Sequence, residues 1–339
     1  DCLRELKKIY NYEAIFSHEE TGSDLTYGRD KKVAFMCKSL NIEFNEYWQS
    51  GVIRGLKNRD NRISLLNQRF KSEIIKKPNY IKTPNLKKTF DEQQVLYKNF
   101  YEKQTNLQSV TEQSAQLIFN DFLTKRSQYY RGNISSPNTA FKFGSRISPH
   151  LAYGTISIRE VFKRTNDKID ELKSQGLKKW ALSLESFISR IYWRDHFIQR
   201  LESYPIIEFE PISYIFENVN YENNTKYLED WLNGKTGVPL IDACMRCLRH
   251  TGFLNFRMRS MVTSYACHAL HLDWRLIMKP LGRLFYDYEP GIHISQLQMQ
   301  AGVVGINTIR VYNPFKQNVE HDYKCEFVKK WVPELKNIP

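Results

Sequence analysis

Trp231-Leu-Asn-Gly-Lys-Thr-Gly-Val-Pro-Leu-Ile-Asp-Ala-Cys-Met-Arg246 joins two segments of helical periodicity, 226–233 and 239–250. Gly234, Gly237 and Pro239 punctuate the passage between them. The same period extends in both directions. Helices are expected at 155–165, 179–202, 254–271 and 276–286, and Ser109-Val-Thr-Glu-Gln113 carries capping signals for one that runs to about Tyr130. No internal repeat or low-complexity tract interrupts the pattern, so residues 107–339 read as one all-α domain.

The N-terminal part follows a different rule. In residues 1–57 a short amphipathic helix, Leu3–Tyr10, precedes a strand at Tyr12–Phe16, and a helix at Arg29–Leu40 precedes a strand at Ile42–Tyr47. Two helices and two strands are too few for a self-sufficient layered domain. The chain also begins at Asp1 in mid-pattern, so this is expected to be the C-terminal remnant of a truncated α/β, Rossmann-like domain. Residues 58–106 are polar and rich in lysine, with Pro78 and Pro84, and read as an interdomain linker crossing a surface.

With 339 residues, 41% of them hydrophobic and 14% aromatic, the chain can bury a sizeable core. Its formal charge of +13 points to an anionic partner, nucleic acid first. No apolar run is long enough to span a bilayer, so no membrane association is expected. Six scattered cysteines and the lack of a signal-peptide core suggest a reducing, intracellular compartment, the cytoplasm in a prokaryote.

Two helices carry more than periodicity. In 254–271, Met258, Met261, Val262, Tyr265, Ala266 and Ala269 form one apolar stripe, with Arg259 on its edge and Arg257 turned away. A guanidinium beside a buried face needs an anion or several acceptors. In 179–202, Asp195 stands in the middle of the stripe Leu184, Phe187, Ile188, Ile191 and Ile198, while Trp193 lies opposite. The first reading of Asp195 is a structural ion pair with an arginine rather than a catalytic acid. Trp193 either packs on another helix or offers a stacking surface.

Several segments then point one way. Phe143-Gly-Ser-Arg-Ile-Ser-Pro-His-Leu-Ala-Tyr-Gly154 resembles the Thr-Ser-Arg-Leu-Ser-Pro turn of the photolyase/cryptochrome family, and Tyr192-Trp-Arg-Asp-His-Phe197 resembles its Trp-Arg-Glu-Phe helix. The opening stretch is similar to that family's Gly-x-Thr-Gly-x-Pro-x-Val-Asp-Ala-x-Met-Arg signature. Thr251–Arg259, Leu272–Arg275, Tyr312–Pro314 and Trp331–Leu335 continue in the family's order, and His18–Gly22 with Arg29-Asp30 resembles the tail of its antenna domain.

The resemblance implies an all-helical domain that binds FAD, preceded by an α/β antenna domain. It also implies an antenna chromophore of folate or deazaflavin type. Gly144, Ser145, Arg146, Ile147 and Ser148, just ahead of a helix, would hold the pyrophosphate. Arg194, Arg259, Asp287 and Glu289 match flavin-holding positions, with Arg259 and Asp287 as a pair, and Phe187 and Phe256 join them as cofactor-side residues. His293 matches the position facing flavin N5, where an imidazole could donate a hydrogen bond or proton to the ring. Trp193 and Met299 match the two lesion-stacking positions, and Trp274 the middle member of a three-tryptophan electron chain. The family's activity is blue-light-driven electron transfer from reduced FAD to a flipped pyrimidine lesion in damaged DNA, and a monomer is expected. The alternative is a cryptochrome-like photoreceptor; a flavin-free helical nucleic-acid module is a third.

The sequence departs from the family pattern at telling places. Leu297 and Tyr221 replace the proximal and distal tryptophans of the chain, leaving Tyr153, Tyr192, Tyr265 or Trp193 as candidate detours. Met299 replaces one stacking tryptophan, Arg190 the pocket glutamate and Phe256 the pocket asparagine. His293–Gly302 is expected to be a loop facing the flavin, with Gln296, Gln298 and Gln300 either lining a cavity or capping neighbouring backbone. Cys244-Met-Arg-Cys247 reads as core cysteines, and His268 with His271 lacks a third ligand, so no metal site is expected.

Overall fold

The computed structural model describes residues 2–76, 78–83, 107–306 and 308–338. Helices dominate, and the described residues contain two strands, Ala14–His18 and Glu43–Tyr47. The later part of the expected linker, 84–106, lies outside the described residues.

The N-terminal unit alternates helix and strand: Cys2–Tyr10, Ala14–His18, Asp24–Ser39, Glu43–Tyr47. The strands pair in parallel, Ala14 opposite Glu43 through His18 opposite Tyr47, and Asp24–Ser39 is the crossover that parallel pairing requires. Both helices hand over to their strands through an asparagine in the left-handed region, Asn11 at φ 46° and Asn41 at φ 52°. Asparagine tolerates that region because its short amide can bond locally. Met36, Cys37 and Ile42 make a small core with Ile15, Val33 and Phe44 against it.

Within the segment expected to be linker, Arg62–Lys71 forms a helix whose Leu66 and Phe70 are buried. Phe70 meets Phe162 at 4.9 Å and Tyr192 at 6.2 Å between ring centroids. This helix therefore belongs to the first helical core, which also holds Phe119, Phe122, Val161, Leu184 and Phe187. The second core gathers Trp231, Met245, Leu248, Met258, Met261, Trp274 and Leu297. The long helix Lys178–Ser203 serves both, giving Leu184 and Ile191 to the first core and Leu201 to the second.

Short-range chemistry sets most boundaries. Thr111, Ser157, Asn224, Asp273 and Asn313 each cap a helix by accepting a backbone N–H, and Pro239 opens Pro239–Thr251. Gly252 ends that helix at φ 65°, a conformation that costs other residues dearly. The expected helix at 155–165 runs further, Ile158–Ser174.

One expectation is corrected. The segment around His293 is not a loop but a helix, Pro290–Ala301, opened by Pro290 and closed by Gly302 at φ 79°. Its amide-rich composition hid this, because its buried face includes glutamines as well as Ile294 and Leu297. Short helices at Pro137–Phe143, Pro314–His321 and Glu326–Trp331 escaped the periodicity, being too brief to show one, while Ser148–Ala152 is the helix expected at the end of the 144–148 turn.

Candidate functional site

Arg259 lies on the Phe256–His268 helix, and its guanidinium finds the anion that its place on the apolar edge demands. Nη2 donates to both carboxylate oxygens of Asp287 at 2.8 Å, and Nε donates to Leu254 O at 2.7 Å. The Ser148 hydroxyl donates to Asp287 Oδ2 at 2.6 Å. The face of the Phe285 ring lies 4.2 Å from the guanidinium carbon, adding a cation–π contact. Ser148, Arg259 and Asp287, far apart in sequence, thus form one charge-assisted network.

The turn 144–148 lies beside it. Gly144 ends the Pro137–Phe143 helix, where a Cβ would meet Ala140 O at 2.4 Å, so no side chain fits. Arg126 Nη1 donates to Gly144 O. Arg146 takes φ 59°, which turns its side chain over Phe253, 4.1 Å from the ring centroid. Gln108 clamps it: the amide donates to Arg146 O at 2.9 Å and accepts from Arg146 Nε at 3.1 Å. Arg146 Nη1 is buried without a hydrogen-bond partner, and burial lowers this guanidinium's pKa. Ile147 is buried in the first helical core, and Ser145 Oγ accepts weakly from Ile147 N at 3.5 Å.

A close helix crossing brings the remaining charges together. At Gly291 a Cβ would meet Ile198 Cα at 2.5 Å, so glycine lets Pro290–Ala301 cross Lys178–Ser203 at backbone distance. That crossing sets Glu289 Oε2 3.5 Å from Arg194 Nη2. Arg194 Nη1 also donates to Asp195 at 2.8 Å, so Asp195 does form the structural ion pair. Asp195 is fully buried and accepts from Gly51 N at 2.6 Å. Burial raises the pKa of both Asp195 and Glu289, and Arg194 opposes the rise in each.

His293 follows on the same helix. Its Nε2 bonds Met278 O at 2.8 Å, so Nε2 carries the proton. Burial pushes its pKa down to about 4, leaving a neutral ring at pH 7 whose Nδ1 is an acceptor. Donation from this imidazole, expected from sequence, thus requires a proton that the surroundings disfavour. Its ring lies 5.3 Å from Tyr288 and 6.0 Å from Phe285. Successive helical residues turn by about 100°, so Gln296, Leu297 and Gln300 share the His293 face while Met299 projects elsewhere.

One of the three glutamines takes the expected capping role. Gln298 caps backbone: its amide donates to Ile207 O and Glu210 O and accepts from Ile212 N, each at 2.8 Å. Both amide atoms of Gln296 and Oε1 of Gln300 are instead buried without partners. Unpaired buried amides on the helix that carries a neutral histidine, and an unpaired nitrogen on Arg146, suit a polar ligand.

On the opposite side of Lys178–Ser203 the surface opens. Trp193 is 48% exposed and stacks on Phe197 at 5.5 Å. It lines a groove of about 460 Å³ with Arg131, Ser186, Ser189 and Arg190. Arg190 stands 5.8 Å from the ring of Phe256, which is half exposed. Glu185 also lines the groove, so two arginines, one carboxylate and two exposed rings make a stackable surface with an excess of positive charge. Phe187 is buried in the first core, 4.9 Å from Phe122, while Trp274 and Leu297 are buried in the second.

Gln108, Phe253, Phe285 and Gly51 were missed from sequence. Each acts through a contact made only by folding, and none carries a local signal. Cys244 and Cys247 are buried in the core and burial raises both thiol pKa values. Among the described residues no group of three or more metal-binding side chains occurs, and no helix is long and apolar enough to cross a membrane.

Comparison with known proteins gives this geometry a context. Residues 187–339 match the family model described as the FAD binding domain of DNA photolyase. A deoxyribodipyrimidine photo-lyase of Alkalihalophilus pseudofirmus is 28% identical over 222 residues, 64% of this chain and 44% of that protein. A cryptochrome DASH of Natronomonas pharaonis is 29% identical over 197 residues, 58% of this chain and 40% of that one. The solved structure of an archaeal photolyase from Sulfolobus tokodaii, which holds two FAD molecules, superposes with a TM-score of 0.79 at 25% identity. That match covers 99% of this chain and 73% of the other. The matched part of this chain spans less than half the length of the two curated relatives.

Proposed function

Because this chain belongs to the photolyase/cryptochrome family and carries its FAD-binding domain, we propose that it is a deoxyribodipyrimidine photo-lyase-like flavoprotein, repairing a pyrimidine lesion flipped out of damaged DNA under blue light. Bound reduced FAD would supply the light-excited electron that splits the lesion and returns afterwards. The observation that carries the reading is the Ser148–Asp287–Arg259 network, with Arg146 and its unpaired nitrogen beside it.

In this reading Ser145, Arg146 and Ser148 bind the pyrophosphate. Arg259 and Asp287 set the charge beside the isoalloxazine, and Arg194 with Glu289 closes the site. His293 presents a neutral acceptor, Nδ1, to the ring, while Nε2 stays committed to Met278 O. Trp193 supplies the stacking face for the flipped base, and Arg190 replaces an acid with a cation that reaches for phosphate or base. Trp274 is an oxidisable side chain in the core, but Leu297 on the His293 helix cannot relay an electron.

The test is an absorption spectrum of the purified protein followed by blue-light repair of dimer-containing oligonucleotides. Chemically prereduced protein is used, because reduction bypasses the interrupted tryptophan chain. Light-dependent loss of dimers is expected; bound flavin without such loss favours the second reading, a cryptochrome-like photoreceptor. Two observations support that alternative: Leu297 in a relay position and Arg190 in place of the pocket acid. Absence of the flavin absorption band would sink both.

A further inference from the structure

Arginines gather where the 50–62 segment, which also carries Asp60, docks on the Lys178–Ser203 helix, and Asp195 is the acid in electrostatic reach of Arg62. Docking is firm: Gly51 N donates to Asp195 at 2.6 Å, Ile53 N donates to Gln199 at 2.8 Å, and the Gln199 amide returns a bond to Ile53 O at 2.9 Å. Arg62 opens the helix Arg62–Lys71 and is only 8% exposed. Arg59 precedes it by one turn, its carbonyl accepting from Arg62 N at 3.1 Å. Facing them, Arg200 Nη2 lies 3.4 Å from His196 Nε2.

These cations are undersupplied with acceptors. Arg59 Nη2 and Arg200 Nη1 are buried with no hydrogen-bond partner. The carboxylate in electrostatic reach of Arg62 is Asp195, already held by Arg194 and Gly51. Burial and mutual repulsion lower the pKa of Arg62 and Arg200 and push His196 down to about 4. Converging guanidinium groups with spare N–H donors are costly to bury unless an anion completes them. Their planar forks match the oxygens of a phosphate.

The neighbourhood indicates what carries that phosphate. The Trp193 ring lies 5.3 Å from His196 and is half exposed, a flat platform next to the arginines. Phe197 bridges them, stacking on Trp193 and lying 5.9 Å from the Arg200 guanidinium. Clustered guanidinium groups beside an exposed aromatic are the arrangement by which single strands are gripped, backbone on the charge and base on the ring. We propose that Arg59, Arg62 and Arg200 form a phosphate site, occupied by a backbone phosphate of a single-stranded nucleic acid whose neighbouring base rests on Trp193. The inference rests on the nucleic-acid part of the proposed function and is independent of the flavin.

Binding of a labelled oligothymidylate to the full chain, measured by fluorescence anisotropy across a salt series, tests it. Arg59→Gln and Arg200→Gln, each checked for native circular dichroism, are compared with Lys329→Gln on a remote surface. Each arginine change is expected to weaken binding about tenfold and to reduce the slope of log K against log salt by ~0.7. Unchanged affinity and slope in both arginine variants, with the wild type still binding, overturns this site alone. No binding by the wild type fails the nucleic-acid reading itself. Inorganic phosphate provides the second arm: if its stabilising effect is lost in Arg200→Gln while oligothymidylate binding is retained, the occupant is a free phosphate and the strand assignment is wrong. Arg62→Lys, which keeps the charge of the buried member but not its fork, is expected to fold and bind weakly.

Discussion

Asp287 accepts from Arg259 Nη2 with both carboxylate oxygens at 2.8 Å, and one of those oxygens also accepts from Ser148 at 2.6 Å. A single carboxylate therefore ties the 144–148 turn to the Phe256–His268 helix. Its replacement should be felt in both stability and flavin content. Asp287→Asn leaves Arg259 beside an apolar face without its counter-ion, at a cost of about 3 kcal/mol. The expected result is a lower melting temperature and a loss of bound flavin, read from the visible absorbance relative to protein. Ser148→Ala removes one hydrogen bond and should cost about 1 kcal/mol. If Asp287→Asn keeps full flavin occupancy, the network is structural only.

His293 makes stability depend on pH with a definite sign. Its folded pKa is depressed to about 4, below the ordinary imidazole value. Between those values the unfolded chain binds the proton first, so stability falls as pH drops from about 6.5 towards 4. On the order of 1–3 kcal/mol is at stake. His293→Asn should flatten that part of the stability curve, measured by urea unfolding at a series of pH values. An identical curve in the variant would show that another group carries the dependence.

Gly291 is the contact point of two helices. A Cβ there meets Ile198 Cα at 2.5 Å, and backbone cannot yield as a side chain can. Gly291→Ala should destabilise the protein by about 2 kcal/mol or more and separate Glu289 from Arg194. Denaturant midpoints check the first effect and flavin affinity the second. Wild-type values for both would show that the helices can part at no cost.

Trp193 offers the opposite profile. It is 48% exposed, so Trp193→Ala should change the melting temperature little. Loss of a base-stacking ring costs ~1–3 kcal/mol, about tenfold or more in single-strand affinity. A variant that binds oligothymidylate as tightly as the wild type would remove Trp193 from the nucleic-acid face.

Leu297→Trp probes the interrupted relay. Leu297 is buried, so the larger ring will cost ~1–3 kcal/mol by overpacking. If the variant retains flavin, photoreduction under blue light with an external reductant should accelerate relative to the wild type. An unchanged rate would show that electrons already reach the site by another path.

Local patterns carried most of the architecture. Apolar spacing revealed the long helices because a helix must bury one face, and caps and prolines fixed many of their ends. The same spacing put Arg259 at an apolar edge and Asp195 inside one, which announced that each needed a partner. The ordered series of short motifs placed both within a family. Spacing failed at Pro290–Ala301, where buried glutamines replace half of the apolar stripe, and at Arg62–Lys71, which looked like polar linker.

Three-dimensional contact decided what those residues do. Sequence marked His293 as important, but only the bond to Met278 O assigns its proton to Nε2 and leaves Nδ1 as the acceptor. Sequence noted three glutamines, but folding gave Gln298 backbone partners and left Gln296 with none. The arginines at 59, 62 and 200 were unremarkable as letters. They become a cluster because the 50–62 segment is bonded onto Asp195 and Gln199 of a helix more than a hundred residues away. Periodicity is a property of neighbours along the chain, whereas charge, proton position and unmet hydrogen bonds depend on neighbours in space. That is why the fold was legible from the letters and the chemistry of its sites was not.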